Sequence, residues 1–277
     1  PSGARFGQTS KVPGLPDGIP IMAVMGDQQA ALYGQGCFSA GTIKNTYGTG
    51  CFLVLNTAKN KRISHHGLLT TLACDIHGQP VYALEGSVFI AGAVIQWLRD
   101  QLKAIPSSSA ADQMIKGLRD NGGVYFVPAF VGLGAPHWDA QARGMITGLT
   151  RGSNTQHIIR AARESIAYQT KDVFDLMQKE SKLKIKMLAV DGGACQSNLL
   201  MQFQADILGT QIIRPKMVDS TVAGAAHLAG VTAGIWSMKD LGNMRGIDKR
   251  FNPRMHKQKR SELYAGWQKA VRQAQVQ

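Results

Sequence analysis

The apolar positions of this chain fall first into short runs cut by glycine turns, then into runs that alternate with stretches of helical spacing. Ile21 to Met25 is an apolar run of the length expected of a buried strand, and it delivers Asp27 at its carboxyl end. Gln28 to Gln35 reads as a short helix ended near Gly34 or Gly36. Gly41 to Tyr47 leads into the small-residue turn Gly48-Thr49-Gly50, and Cys51 to Leu55 leaves it, which predicts a hairpin. A second hairpin is predicted from Leu68–Cys74 and Pro80–Glu85, joined across Asp75-Ile76-His77-Gly78-Gln79. Residues 1–20 carry four prolines and four glycines and read as a loop or linker.

Further on, the apolar period lengthens. Ser87 is the expected N-cap of a helix through Val88, Ile90, Ala91, Val94, Ile95 and Leu98, and a second helix is expected over Ala110–Leu118. Val124–Pro128 and Arg143–Leu149 read as strands. Asn154 or Thr155 caps a long helix whose Ile158, Ile159, Ala162, Ile166, Thr170, Val173 and Met177 share one face. Leu188–Gly193 is a strand ending on an acid and a glycine pair, Ser197 or Asn198 opens a helix to Leu208, and Ile212–Arg214 is a further strand. Ser220-Thr221 caps a helix of small residues reaching Ala233. Early hairpins followed by alternating helix and strand predict an α/β fold with a mixed sheet.

Composition narrows the classes. At 277 residues, 44% hydrophobic and 18% charged, the chain has the make-up of a globular protein with room for a sizeable core. No apolar run approaches the roughly 20 residues of a membrane span, and no signal peptide opens the chain, so a cytoplasmic setting is expected. The first residue is proline, so a fragment or processed piece is expected. Cys37, Cys51, Cys74 and Cys195 form no C-x-x-C pair, as in a reduced compartment. The net charge of +13 raises nucleic acid as a partner, but residues 239–260 hold eight basic side chains against Asp240 and Asp248 and supply +6 of it. With few aromatics interleaved, this basic stretch reads as a solvated face, and no nucleic-acid partner is expected.

No Walker A loop, G-x-G-x-x-G, H-E-x-x-H or G-x-S-x-G motif is present. What remains are two strand-end acids, Asp27 and Asp191, and three glycine turns at Gly48–Gly50, Gly132–Gly134 and Gly192-Gly193. A turn of small residues with free N–H groups suits phosphate, and one carboxylate nearby suffices as base for phosphoryl transfer. Taken alone, Asp27 is equally a cap for the helix behind it, and Asp191-Gly192-Gly193 is equally a plain tight turn. His65, His66, His77, and His137 near Asp139, lack a recognised ligand spacing and read as surface or satisfied histidines, so no metal cluster is assigned. Cys195 reads as a small buried hydrophobe, and Trp97, Trp138 and Trp236 as core residues.

Taken in order, the motifs become specific. Gly26-Asp27-Gln28-Gln29-Ala30-Ala31-Leu32, Lys44 through Phe52, Gly132-Leu133-Gly134-Ala135-Pro136-His137-Trp138-Asp139, Ser165 through Thr170, Val190 through Ala194 and Leu200 through Leu208 follow one another. This series resembles the FGGY carbohydrate kinases, in particular their glycerol-phosphorylating members, over about residues 21–267 and only for the second half of those enzymes. The resemblance implies an actin-like, ribonuclease-H-like domain with ATP between two lobes and Mg²⁺ on its phosphates. It implies a missing N-terminal lobe of the same enzyme as partner, and a homo-oligomer. On it, residues 1–35 are a linker and the end of the first lobe, 36–237 the nucleotide-binding domain, and 238–277 a basic segment and C-terminal helix. Asp27 is then the base for a terminal hydroxyl of glycerol, Gln28 a hydrogen-bonding partner of that substrate, and Phe52 a surface for its carbon chain. Thr49, Gly92, Gln96 and Gly193 match the nucleotide contacts. The implied reaction is ATP-dependent conversion of glycerol to glycerol 3-phosphate; the alternatives are a xylulose- or gluconate-type sister kinase or a catalytically silent nucleotide-binding module. Two residues depart from the pattern. Ser197, followed by Asn198, stands where the family carries a nucleotide-contacting Asn, and Arg163 stands where its signature is apolar. A buried Arg163 is costly unless its head reaches water.

Overall fold

The computed structural model describes residues 1–74 and 79–275. In chain order the elements are β1 (Gly3–Gln8), β2 (Pro20–Ala23), α1 (Asp27–Gly34), β3 (Ile43–Tyr47), β4 (Cys51–Ala58), β5 (Leu69–Leu72), β6 (Tyr82–Val88), α2 (Gly92–Asp100) and α3 (Ala110–Met114). They continue with β7 (Tyr125–Val127), β8 (Met145–Thr147), α4 (Thr155–Ser181), β9 (Met187–Asp191), a 3-10 turn (Gly193–Gln196), α5 (Asn198–Leu208), β10 (Gln211–Pro215), α6 (Ser220–Thr232), α7 (Met238–Met244), β11 (Ile247–Phe251) and α8 (Lys257–Gln275).

Seven strands form one sheet in the order β11-β10-β9-β3-β4-β6-β5. The β3/β9 and β9/β10 pairs are parallel and the others antiparallel, so the sheet is mixed, as the order of elements predicts. Alternation along the strands divides the core between two faces. Leu53, Leu55, Leu84, Val88, Leu188 and Val190 join α4 (Ile166, Val173, Met177), α2 and α5 in the main cluster. Val54, Ala83 and Ala189, the intervening positions, pack with Leu32 of α1 and Cys37 in a smaller one. α6 lies across α1, and α8 returns to the main core, where Trp267 stacks on Tyr168 with centroids 5.3 Å apart. Residues 238–275 thus supply an edge strand, β11, and a buried tryptophan, with many of the basic side chains pointing outward.

Several local expectations change. The apolar run at residues 21–25 is not a buried strand of the sheet: β2 pairs with β1 in a separate two-stranded ribbon, leaving Ile21 and Val24 exposed. Part of the presumed N-terminal linker is therefore strand. Ser87 is no helix cap; it pairs with Phe52, and Val88 with Cys51, so the ladder carries β6 through Val88 and α2 starts at Gly92. Asp219, not Ser220, caps α6, its carboxylate accepting from the Val222 N–H. α3 ends at Met114 rather than Leu118. Trp138 is exposed, whereas Trp267 is buried. The predicted hairpin strands do pair, as β5 and β6, while Asp75 to Gly78 of their turn, His77 included, lie outside the described residues. α4 begins at its expected cap, Asn154, which accepts from the His157 N–H while the His157 ring answers the Asn154 N–H.

Candidate active site

Parallel pairing of β3 with β9 sets Thr46 level with Asp191, so the β3–β4 turn and the Asp191-Gly192-Gly193 turn emerge side by side from one end of the sheet. A third segment, the start of α2, closes on them. The Ala91 and Ala93 N–H groups donate to the Thr49 carbonyl at 2.8 and 3.1 Å, and the Gly92 N–H donates to the Gly48 carbonyl at 3.0 Å. Glycine is required at two of these points. A Cβ on Gly92 would lie 2.5 Å from the Gly48 carbonyl oxygen, and Gly192 sits at φ +83° with an added Cβ 2.5 Å from the Tyr47 carbonyl oxygen.

Between these turns opens a cleft of about 950 Å³. Thr49, Gly92, Gln96 and Gly193 all line it, drawn from three separated stretches of sequence. No atom lies within 4 Å of where a Gly193 side chain would start, so that backbone faces free space. The volume falls in the range of small-molecule sites.

The cleft also explains the two departures. Ser197 caps α5, its hydroxyl accepting from the Leu200 N–H at 3.1 Å and donating to Asp112 Oδ2. Asn198 is engaged otherwise: its Oδ1 accepts from Arg214 Nη2 at 3.0 Å. Arg163 is 4% exposed and does not reach solvent. Its Nη2 lies 2.7 Å from Asp112 Oδ1 and donates to the Ser108 carbonyl at 3.0 Å. Ser197 and Arg163 are thus joined through one carboxylate on the wall of the cleft, which answers the desolvation of the guanidinium. Asp112 carried no sequence signal, since nothing in a short helix announces a partner 51 and 85 residues away.

The expected substrate residues stand outside that cleft. Asp27 opens α1 and is exposed; its Oδ1 accepts from the Gln28 N–H at 2.8 Å, and its Oδ2 meets only the Gln28 Nε2 at 3.5 Å. Phe52 is 36% exposed, while its carbonyl oxygen accepts from Lys44 Nζ. That ammonium also donates to Gln28 Oε1 and to Thr46 Oγ1. Burial pushes it down to about 8, with Asp191 and Glu85 holding it up. Sequence reading passed over Lys44; the available signal was a lysine inside a short strand of otherwise uncharged residues.

Asp191 is 2% exposed, and its Oδ2 accepts from Gln35 Nε2, which also donates to the Val190 carbonyl and Ser220 Oγ. Cys195 is buried, its thiol pushed up to about 12 by burial, as befits an inert side chain. Cys37, Cys51, Cys74 and Cys195 are all free. His66 Nδ1 lies 2.7 Å from Glu180 Oε1, and His137 Nε2 lies 3.4 Å from Asp172 Oδ2. Among the described residues no three His, Cys, Asp or Glu side chains gather with ligand geometry. No helix among them is long and apolar enough to cross a membrane.

The family model of the FGGY carbohydrate kinases, C-terminal domain, matches residues 43–233. The chain belongs to the FGGY family of carbohydrate kinases. Among curated FGGY relatives, glycerol kinase of Desulfitobacterium hafniense is 53% identical over 274 residues, covering 99% of this chain and 56% of the relative. Glycerol kinase of Vibrio cholerae is 56% identical over 259 residues, covering 93% of this chain and 51% of the relative. The crystal structure of Plasmodium falciparum glycerol kinase with ADP superposes with a TM-score of 0.93 at 37% identity, over 100% of this chain and 56% of that one. A ligand-bound xylulose kinase from Lactobacillus acidophilus shares the fold, with a TM-score of 0.81 at 24% identity over 93% of this chain and 53% of that one. The chain spans about half the length of the FGGY relatives it matches.

Proposed function

We propose that this chain is the nucleotide-binding half of an ATP-dependent glycerol kinase, transferring the γ-phosphoryl group to a terminal hydroxyl of glycerol. The observation that carries the reading is the hydrogen-bonded link, through Lys44, between Gln28 beside Asp27 and the strands that present the Thr49 turn to the cleft. Similarity to glycerol kinases above half identity supports glycerol over a sugar.

On this reading Thr49 and the backbones of Gly92 and Gly193 receive the phosphates, and Gln96 hydrogen-bonds the nucleotide. Asp27 Oδ2 takes the proton from the attacking hydroxyl as the bond to phosphorus forms and that to the leaving oxygen breaks. Gln28 orients a glycerol hydroxyl, and Phe52 covers the carbon chain. Mg²⁺ fits the open space beside Gly193: it would be held on the nucleotide phosphates and by waters rather than by a protein cage, leaving Asp27 for the proton. Bound there, it would neutralise phosphate charge.

Residues 1–35 then sit toward a preceding lobe, 36–237 form the nucleotide-binding domain and 238–277 close its sheet edge. A preceding lobe supplies the rest of the polyol site, and the whole assembles as a homo-oligomer in the cytoplasm. Titration of ADP into the 277-residue chain is expected to give a dissociation constant below about 1 mM. Phosphorylation is expected only when the lobe is joined to it. Turnover of glycerol by the chain alone would overturn the need for that lobe, and preference of the two-lobed enzyme for a pentulose in a polyol panel would sink the assignment.

A further inference from the structure

Lys44 links the two halves of that scheme but has no chemical role in it, and its surroundings are not those of an ordinary strand lysine. The residue is 0% exposed, and a buried ammonium must be paired or neutralised. Its three N–H donors meet three acceptors: Gln28 Oε1 from α1, Thr46 Oγ1 at 2.9 Å on its own strand, and the Phe52 carbonyl oxygen at 3.2 Å on β4.

We propose that Lys44 is a positioning residue for the phosphoryl transfer: its ammonium holds the Gln28 amide and the Phe52 backbone in the geometry that presents a polyol hydroxyl to Asp27. The inference rests on the polyol-kinase reading. It has a definite chemical consequence. With Oε1 turned to the ammonium, the Gln28 amide presents Nε2 toward a substrate, so Gln28 donates to a hydroxyl oxygen. That Nε2 already points toward Asp27 Oδ2, at 3.5 Å, which places donor and base on the same side. A free Gln28 amide could turn either way and would align the hydroxyl with the base only part of the time.

The charged and titratable groups facing the ammonium are Asp191 from β9, Glu85 from β6, Asp27 from α1 and the Cys37 thiol beyond α1. Burial outweighs these and brings the ammonium down to about 8. Above that pH Lys44 keeps two donors for three acceptors and loses its charge. For folding, the sign is opposite. Between about pH 8 and 10.5 the unfolded chain holds a proton that the native chain has released, so this group makes stability rise with pH. Activity is expected to fall where this group's contribution to stability climbs.

The test is kcat/KM for glycerol against pH in the two-lobed enzyme, as wild type, Lys44→Met and Lys44→Arg, with a melting curve at each pH. Wild type is expected to lose about tenfold between pH 7 and 9, because about a tenth of a group of pKa ~8 stays protonated at pH 9. Lys44→Arg is expected to lose that alkaline limb, since a guanidinium does not titrate there. Lys44→Met is expected to fall about 100-fold at pH 7 with ADP affinity unchanged. A flat wild-type profile, the same limb in Lys44→Arg, or a Lys44→Met enzyme matching wild type would overturn the proposal. If Lys44→Met does not fold, the other two profiles decide. Wild-type enzyme that leaves glycerol unphosphorylated would overturn the functional reading and this inference with it.

Discussion

The packing of α6 on α1 allows a sharp test, because the two helices approach until backbone meets backbone. A Cβ added at Gly224 would lie 1.8 Å from the Ala30 carbonyl oxygen and 2.9 Å from the Gly34 nitrogen; one added at Gly34 would lie 2.1 Å from the Ser220 carbonyl oxygen. Gly224→Ala therefore forces the helices apart by about 1.2 Å, the difference between 1.8 Å and the 3.0 Å below which real Cβ contacts essentially never occur. Backbone cannot rotate aside, so the cost belongs at the upper end of overpacking, about 3 kcal/mol, offset by about 1 kcal/mol of helix propensity. The net loss of about 2 kcal/mol lowers the melting temperature by roughly 4–8 °C in a chain of this size. Leu32 packs on Val54, Ala83 and Ala189, and Gln35 is bonded to Asp191, which tie α1 to the sheet. α6 is thus expected to move while the cleft lined by Thr49 and Gly193 keeps its ADP affinity within about threefold, under 0.7 kcal/mol. Gly242→Ala is the control: it sits in α7 with nothing within 4 Å of the added carbon, and stability is expected to hold or rise slightly. Equal melting temperatures for Gly224→Ala and wild type would refute the reasoning.

Other substitutions probe the polar interior. Asp112→Ala is expected to cost more in denaturant midpoint than Arg163→Leu, because it strands a guanidinium that is 4% exposed, whereas the leucine fills volume and leaves a partly exposed acid; the reverse order would remove Asp112 as the compensating charge. Asp172 accepts from Tyr264 Oη at 2.5 Å and from Trp267 Nε1 at 2.8 Å, so Asp172→Ala leaves two donors behind and is expected to cost about 2–4 kcal/mol by urea denaturation. Asn154→Ala removes the cap of α4 and is expected to cost about 1 kcal/mol in the same assay.

What the sequence discloses depends on how local the cause is. The β3–β4 hairpin and α4 are legible because the turn glycines and the Asn154 cap act within a few residues of the elements they define. β1 is hidden among prolines and glycines, and its pairing with β2 spans a long loop. Ser87 carries a plausible capping signal, but the ladder to Phe52 and Cys51 overrides local preference. The proposed nucleotide residues follow from family motifs, since Thr49, Gly92, Gln96 and Gly193 share no local pattern until the sheet brings their segments to one end. Lys44 and Asp112 were missed for the same reason: an ion's partners lie across the fold, and a lone lysine or aspartate looks like surface.

Asp27 is the centre of the proposed reaction. The most direct measurement is glycerol-dependent phosphoryl transfer from ATP by the two-lobed enzyme carrying Asp27→Asn, which keeps the shape of the side chain and removes the base. If Asp27 is the base, kcat falls about 10²–10⁴-fold. A kcat within about threefold of wild type, less than 0.7 kcal/mol of barrier, would contradict it.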